Sequence, residues 1–355
     1  MKRIKKSLGA VISIVLAIAM MCTTCAFADE SNPDNTPKST LSVNWVQYYD
    51  SLDELEKESD IVVDGHVVSY KTELRYDVVF TRVLFEVEQT ISGNCVSGDI
   101  IEILQTGGQF EDKYTPYPEE FPALQPDREY RMYLYKSDYS DLYGQYYLVT
   151  GGYQGVFTID SQCFYAPCNK NKSWSMNIEA GNLLLRSPGT PALTAKWYLD
   201  TIYVHYQSNI STLTSIYVYN SIVSGMQSWN TYTDCPTLSI TTNAALANAY
   251  VLMQNYGETG WDAQTYREYD SNSISYSHVQ FNTYYNNSYH AAGTTDIWAS
   301  ISCHEFGHLL GLEHHSNVAL SIMRVGGTQY IYNPNGSPQW VTPQYDDIIA
   351  INYKY

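Results

Sequence analysis

The stretch Cys303–His315, CHEFGHLLGLEHH, places four histidines and two glutamates close together in a chain that has 8 histidines in all. Polar residues at Thr294, Thr295 and Asp296 precede it and suit a helix N-cap, while Gly311 suits a helix stop, so the motif is expected on a helix and its exit. On a helix, His304 and His308 project from one face about one turn apart, the spacing of two corners of a tetrahedral zinc site. Glu305 lies one position further round, near a metal without binding it. Gly311 can take positive φ and let the chain reverse, which returns His314 as a third ligand. Three nitrogen ligands leave the fourth position of zinc open, the mark of catalytic sites more than structural ones.

That arrangement predicts metal-assisted peptide hydrolysis, with a zinc-activated water attacking the scissile carbonyl and Glu305 as general base. His-Glu-x-x-His alone is a weak signal, but Gly311 and His314 at their added spacings make coincidence remote. His315 competes with His314 on composition, and spacing favours His314. His205, His278 and His290 read as ordinary hydrogen-bonded histidines ahead of ligands to a structural metal. Oxygen ligands for calcium exist between Asn255 and Asn272, without the spacing of an EF-hand.

The remaining chain bounds where such chemistry takes place. Residues 1–28 carry a basic start (Lys2, Arg3, Lys5, Lys6), an apolar run near Leu8–Met21 and the triplet Ala26-Phe27-Ala28. This reads as a secretory signal peptide cleaved after Ala28, giving a secreted, extracellular protein. The run is short of the ~20 residues of a membrane-spanning helix, which disfavours stable membrane insertion, and Cys22 lacks the small residue expected before a lipid-accepting cysteine. The formal net charge is −17, and loss of a basic leader makes the mature chain more acidic still. Such a balance argues against nucleic acid as a partner.

Cys22 and Cys25 leave with the leader, so Cys95, Cys163, Cys168, Cys235 and Cys303 remain, an odd number of which one stays unpaired. Cys163 with Cys168 would close a small loop, and Cys235 with Cys303 would be a long-range staple. Alternatively, Cys168, following a proline ahead of the second half, could fill zinc's open position as a latency switch.

Residues 29–168 form the first predicted domain, a small all-β accessory or pro-like module. In TRVLFEVEQTI, Val83, Phe85 and Val87 point one way while Arg82, Glu86 and Glu88 point the other, the period of a half-buried strand. DIVVDGHVVSY, DIIEIL, REYRMYLY and QYYLVTGG repeat the pattern between turns, and the proline-rich YTPYPEEFPALQPD reads as a surface loop. Residues 169–195 read as a linker. From 196 to 355 strand-like runs alternate with helix patterns, among them Ile216, Tyr219, Val223 and Met226 at helical spacing. The 34 tyrosines suit exposed β-structure.

HEFGHLLGLEH resembles the extended zinc signature of metzincin metalloproteases, and ALSIMR resembles their Met-turn, with Met323 the methionine beneath the metal. SHVQFNTYY and TPQYDDIIAINYKY are similar to the strand before the catalytic helix and the closing helix of the matrixin branch. The resemblance spans roughly 196–355. It implies a metzincin catalytic domain, a twisted, mixed but mostly parallel sheet with two long helices, whose antiparallel edge strand (ISYSHVQF) holds a protein or peptide substrate as an extended strand. It also implies His304, His308 and His314 as zinc ligands, Glu305 as base and Met323 as packing. His315 stands where matrixins usually have serine, and neither Tyr330 nor Tyr332 takes the place of the tyrosine some sister families put after the methionine. The 29–168 module weakly resembles netrin-like or OB-type barrels. The competing class is a secreted binding or adhesion protein whose metzincin domain has lost activity, and intact motif residues weigh against it.

Overall fold

A computed structural model describes residues 38–47, 49, 52–138, 144–160, 163–165, 175–176, 195–207, 216–285, 295–314, 321–324 and 341–355. In chain order the elements are β1 (Lys38–Trp45), α1 (Leu52–Lys57), β2 (Ile61–Arg75), β3 (Val78–Ser92), β4 (Ile100–Thr106), β5 (Gly108–Phe110), β6 (Lys113–Thr115), β7 (Glu129–Lys136), β8 (Tyr147–Val149), β9 (Val156–Asp160), β10 (Cys163–Tyr165) and β11 (Ser175–Met176). They continue as β12 (Thr201–Tyr206), α2 (Ile216–Tyr232), β13 (Thr237–Thr241), β14 (Ala249–Gln254), β15 (Trp261–Asp270), β16 (Ser273–Asn282), α3 (Thr295–Leu309) and α4 (Tyr345–Lys354).

Eight strands of the first half form a sheet in the order β11-β10-β9-β7-β2-β3-β4-β8, and β8 also pairs with β7, which closes β7, β2, β3, β4 and β8 into a ring. Val83, Phe85 and Val87 fill its interior with Phe80, Ile103 and Met132. Arg82 departs from the expected outward set: it is buried, and its guanidinium meets Glu73 Oε2 at 2.7 Å, so its charge is matched where strand periodicity alone would put it in water.

The second sheet runs β1-β15-β16-β14-β12-β13. Four strands are parallel (β13, β12, β14, β16); β12 crosses to β13 through α2, and β14 reaches β16 by way of β15. β15 turns back antiparallel on β16, and β1 then pairs antiparallel with β15 from Lys38↔Tyr269 to Trp45↔Trp261. Two expectations change here. ISYSHVQF lies within β16, an interior strand, because Ser277, Val279, Gln280 and Phe281 are all buried and admit neighbours on both sides. The antiparallel strand next to it is β15, and its outer side is covered by β1. Segment 38–45 thus completes the sheet of the second half.

β1 sits in the second sheet while feeding the first core, because its two faces differ. Leu41, Val43 and Trp45 pack with Phe121, Leu124, Tyr256 and Trp261. The other face carries Ser42 and Asn44, whose side chains meet Arg267 (3.2 Å) and Asp262 (3.0 Å) on β15.

Burial also sets a pH response. Asp262 is fully buried, and desolvation pushes its carboxyl up to about 7 against the hydrogen bond from Asn44. The ordinary value is 3.8, so between about pH 4 and pH 7 the folded chain holds a proton the unfolded chain has lost. Stability contributed by this group is therefore present at acid pH and lost as pH rises towards 7, about 1.4 kcal/mol for each pH unit crossed. Asp262→Asn removes that loss. Denaturant titrations at pH 4.5 and 8 should show the variant gaining on the wild type by a few kcal/mol, and an unchanged difference would contradict the assignment.

Under the second sheet, α2 and α3 cross closely. Val218, Ile222, Met226 and Trp229 form the buried face of α2, flanked by Tyr219 and Val223. Gly225 permits the approach, since a Cβ there would lie 2.3 Å from Ala299 O on α3. Ser302 Oγ donates to Ile222 O at 2.6 Å, and Trp229 Nε1 donates to Cys303 O at 2.9 Å. These bonds fix the rotation of α3, hence which way His304 and His308 face. Cys303 is a free thiol that accepts from Ser228 Oγ, and Cys235 is free beside Thr233, so the staple between them is not formed. The side chain of Cys163, and all of Cys168, lie outside the described residues, as does most of the 169–195 segment.

Candidate metal centre

The helix α3 presents His304, Glu305 and His308, all fully buried. It stops in a glycine reversal: Gly311 has φ 100°, its N–H donates to His308 O at 2.8 Å, and Leu312 N–H reaches back to Gly307 O at 3.0 Å. This is the paired closure of a Schellman motif, which a residue with a Cβ adopts only under strain. Trp197 Nε1 and Tyr355 Oη donate to Leu309 O and Leu310 O, satisfying carbonyls the helix end leaves open. Three residues past Gly311, His314 arrives beside the two helical histidines.

The Nε2 atoms of His304, His308 and His314 then lie 3.1, 3.1 and 3.2 Å from one another. Each Nδ1 faces an acceptor: Ile322 O for His304 (2.8 Å), Leu312 O for His308 (2.8 Å) and the Glu120 carboxylate for His314. A neutral imidazole carries one proton, and these partners draw it to Nδ1 in all three rings. Three lone pairs are left converging on one point, an arrangement that repels itself unless a cation joins it. Tetrahedral zinc with bonds of about 2.0–2.1 Å needs its nitrogens about 3.3 Å apart, so the donor set fits. Burial reinforces this: desolvation, with help from His314, lowers His304 to about 3, and desolvation lowers His308 well below its ordinary value, so both stay neutral donors. Among the described residues this trio is the cluster of histidine, cysteine, aspartate and glutamate suited to a metal.

Glu305 stands apart from the nitrogens. Thr265 Oγ1, from β15, lies 2.5 Å from its Oε2, whereas Oε1 is buried with no hydrogen-bond partner among the described residues. Burial pushes its carboxyl well above the usual range, with Asp262 adding to that and the Thr265 hydroxyl and Arg267 opposing it. A carboxyl so placed, raised above its ordinary range and with one oxygen unpartnered, is suited to take up and return a proton.

Met323 packs under the same helix: a Cβ on Gly307 would meet its Sδ at 2.3 Å, so thioether and helix backbone touch. Asp347 holds that turn in place, accepting from Ser321 Oγ (2.5 Å), Ile322 N–H (2.7 Å) and, at the start of α4, Gln344 N–H (2.8 Å). Burial pushes Asp347 up to about 6 against those bonds. Through Ile322 the same turn supplies the carbonyl that orients His304.

Sequence reading misses Glu120, Thr265 and Asp347. Glu120 comes from the proline-rich segment expected as a surface loop, and no spacing rule links it to His314, 194 residues away. Thr265 sits in a stretch without apolar alternation. Of the other histidines, His205 Nδ1 contacts Thr241 O, His278 stacks on Tyr266, and His290 lies outside the described residues, as do His315, Tyr330 and Tyr332. Between His314 and Tyr345 the structure describes only residues 321–324 and 341–344. No helix among the described residues is long and apolar enough to cross a membrane.

Residues 239–355 match the family model of the matrixins, peptidase family M10. No curated protein matches. A solved structure titled "Structure of myroilysin" is similar at 18% identity and a TM-score of 0.24, over 36% of this chain and 55% of that one, so the chain spans about half of the chain it matches.

Proposed function

We propose, from the match of residues 239–355 to the matrixin family model, that this part is a matrixin-like metzincin domain and the protein a secreted zinc-dependent endopeptidase. The carrying observation is the convergence of three Nε2 atoms within 3.2 Å, each with its Nδ1 committed elsewhere. His304, His308 and His314 would hold the ion. Bound there, zinc would supply a Lewis acid that polarises the scissile carbonyl and makes water nucleophilic near neutral pH.

The chain's own residues supply the rest. Glu305, oriented by Thr265, takes the proton of the attacking water and returns it to the leaving amine. Met323 and Asp347 fix the floor on which His304 rests. β15 offers the backbone edge for an extended peptide, added as a further strand. In the described state that edge is filled by β1, so the N-terminal segment restrains access. Secretion follows from the signal-like residues 1–28.

The test is metal content with peptide cleavage. Purified mature protein is expected to hold one zinc per chain and to cleave a quenched peptide library, with cleavage lost on chelation and restored by zinc. A chain without metal, or one whose cleavage survives chelation, would sink the reading.

A further inference from the structure

We propose that Glu120 is a positioning residue of the metal centre, its carboxylate holding the Nδ1 proton of His314, so that the centre is built from both halves of the chain. The proposal rests on the zinc reading above. The three histidines are supported unequally. His304 and His308 are carried by a helix, and their Nδ1 atoms lean on backbone carbonyls of the metal-binding half. His314 lies past the glycine reversal with no helix to set its rotamer, and its Nδ1 is met by a carboxylate from the N-terminal half instead. A carboxylate accepts more strongly than a carbonyl and raises the basicity of the ring's other nitrogen, the one turned to the metal.

The carboxylate is held in place. Phe121 and Leu124, on either side of Pro122, are buried in the first core. Gln105 Nε2 donates to Phe121 O (3.1 Å) and Pro122 O (2.7 Å), Tyr70 Oη donates to Leu124 O (2.6 Å), and Phe121 N–H closes a turn on Pro118 O (3.0 Å). The loop is a rigid arm. At its end Glu120 is 18% exposed and His314 9%, so water screens their contact little. A chance surface ion pair has neither a braced arm nor a partner whose second nitrogen belongs to a metal trio.

The test uses the full mature chain and its variants Glu120→Ala and Glu120→Gln. Zinc affinity is measured by chelator competition, and the Co(II) absorption spectrum is recorded at saturation. Glu120→Ala should weaken zinc binding about 10- to 100-fold and shift the Co(II) bands. Glu120→Gln should lose less, because its amide oxygen still accepts from Nδ1. A contact that only joined the two halves would leave the saturated Co(II) spectrum unmoved. Wild-type affinity and spectrum in Glu120→Ala, with metal bound by the wild type, would overturn this proposal alone. Failure of the wild type to bind metal would overturn the zinc reading and this proposal together. Should Glu120→Ala not fold, Glu120→Gln decides: any loss of affinity with a shifted spectrum supports the role, and wild-type values in both refute it.

Discussion

Replacing Glu305 with alanine should lower kcat on a peptide substrate by about 10²–10⁴-fold while zinc content stays at the wild-type level. The two halves of that expectation have separate causes. The metal trio is made of imidazole nitrogens, so deleting the carboxylate removes no ligand. What disappears is a buried acceptor whose Oε1 has no partner among the described residues and whose companion oxygen is fixed by Thr265. Desolvating that carboxyl weighs against the folded state, so the variant should be no less stable than the wild type, the usual trade between activity and stability at a catalytic group. Cleavage rates, bound zinc and melting temperature measured on one preparation check all three. Retained cleavage would remove Glu305 from the chemistry, and loss of zinc would recast it as part of the metal-holding framework.

Removing β1 should act in the opposite direction. A chain beginning at Trp45 keeps the tryptophan that packs on Phe121 but lacks the strand paired with β15. If extended substrates add to β15, the wild type cleaves only in the fraction of time that β1 is displaced. A displaced population of about 1% would depress apparent kcat/KM about 100-fold, and truncation should return that factor. The converse is a disulfide between Ser39→Cys and Glu268→Cys, directly opposite in the ladder, which should suppress cleavage until reduced. Equal rates in the truncated, locked and wild-type chains would mean that peptides reach Glu305 by a route that never uses β15. The truncation also removes Leu41 and Val43, which share a core with Phe121 and Leu124 of the Glu120 arm, so zinc affinity is measured on the truncated chain beside cleavage to separate loss of restraint from loss of support.

How much was legible in the sequence follows from where each piece of information lies. His304, Glu305 and His308 are readable because helical geometry converts a spacing of four into one face, and Gly311 because its φ of 100° is one that glycine adopts without strain. β15 was not. Strands are found by apolar alternation, yet its buried residues include Asp262, Gln264, Thr265 and Arg267, polar groups that meet Asn44, Gln280, Glu305 and Glu313, neighbours the sequence does not name. With β15 unseen, the edge fell to β16, the next run with strand character. β1 misled for a related reason, since its apolar face belongs to the first core and its ladder to the second sheet. Glu120 carries no local signal, and only the folded chain shows that a loop between prolines ends on His314.

The ladder of β1 on β15 also has a kinetic side. Asn44 and Asp262 are separated by 218 positions, so their strands meet only after nearly three-quarters of the chain has been made and a very long loop has been closed. Such distant pairings are late events in folding, because closure entropy must be met before their contacts form. A nascent chain therefore has its first strand waiting, unpaired, until the far sheet exists to receive it. Once that sheet forms, its open edge finds the waiting strand at the high local concentration of a tethered partner. On the endopeptidase reading, the β15 edge is covered as the sheet is completed, with no interval in which it stands open.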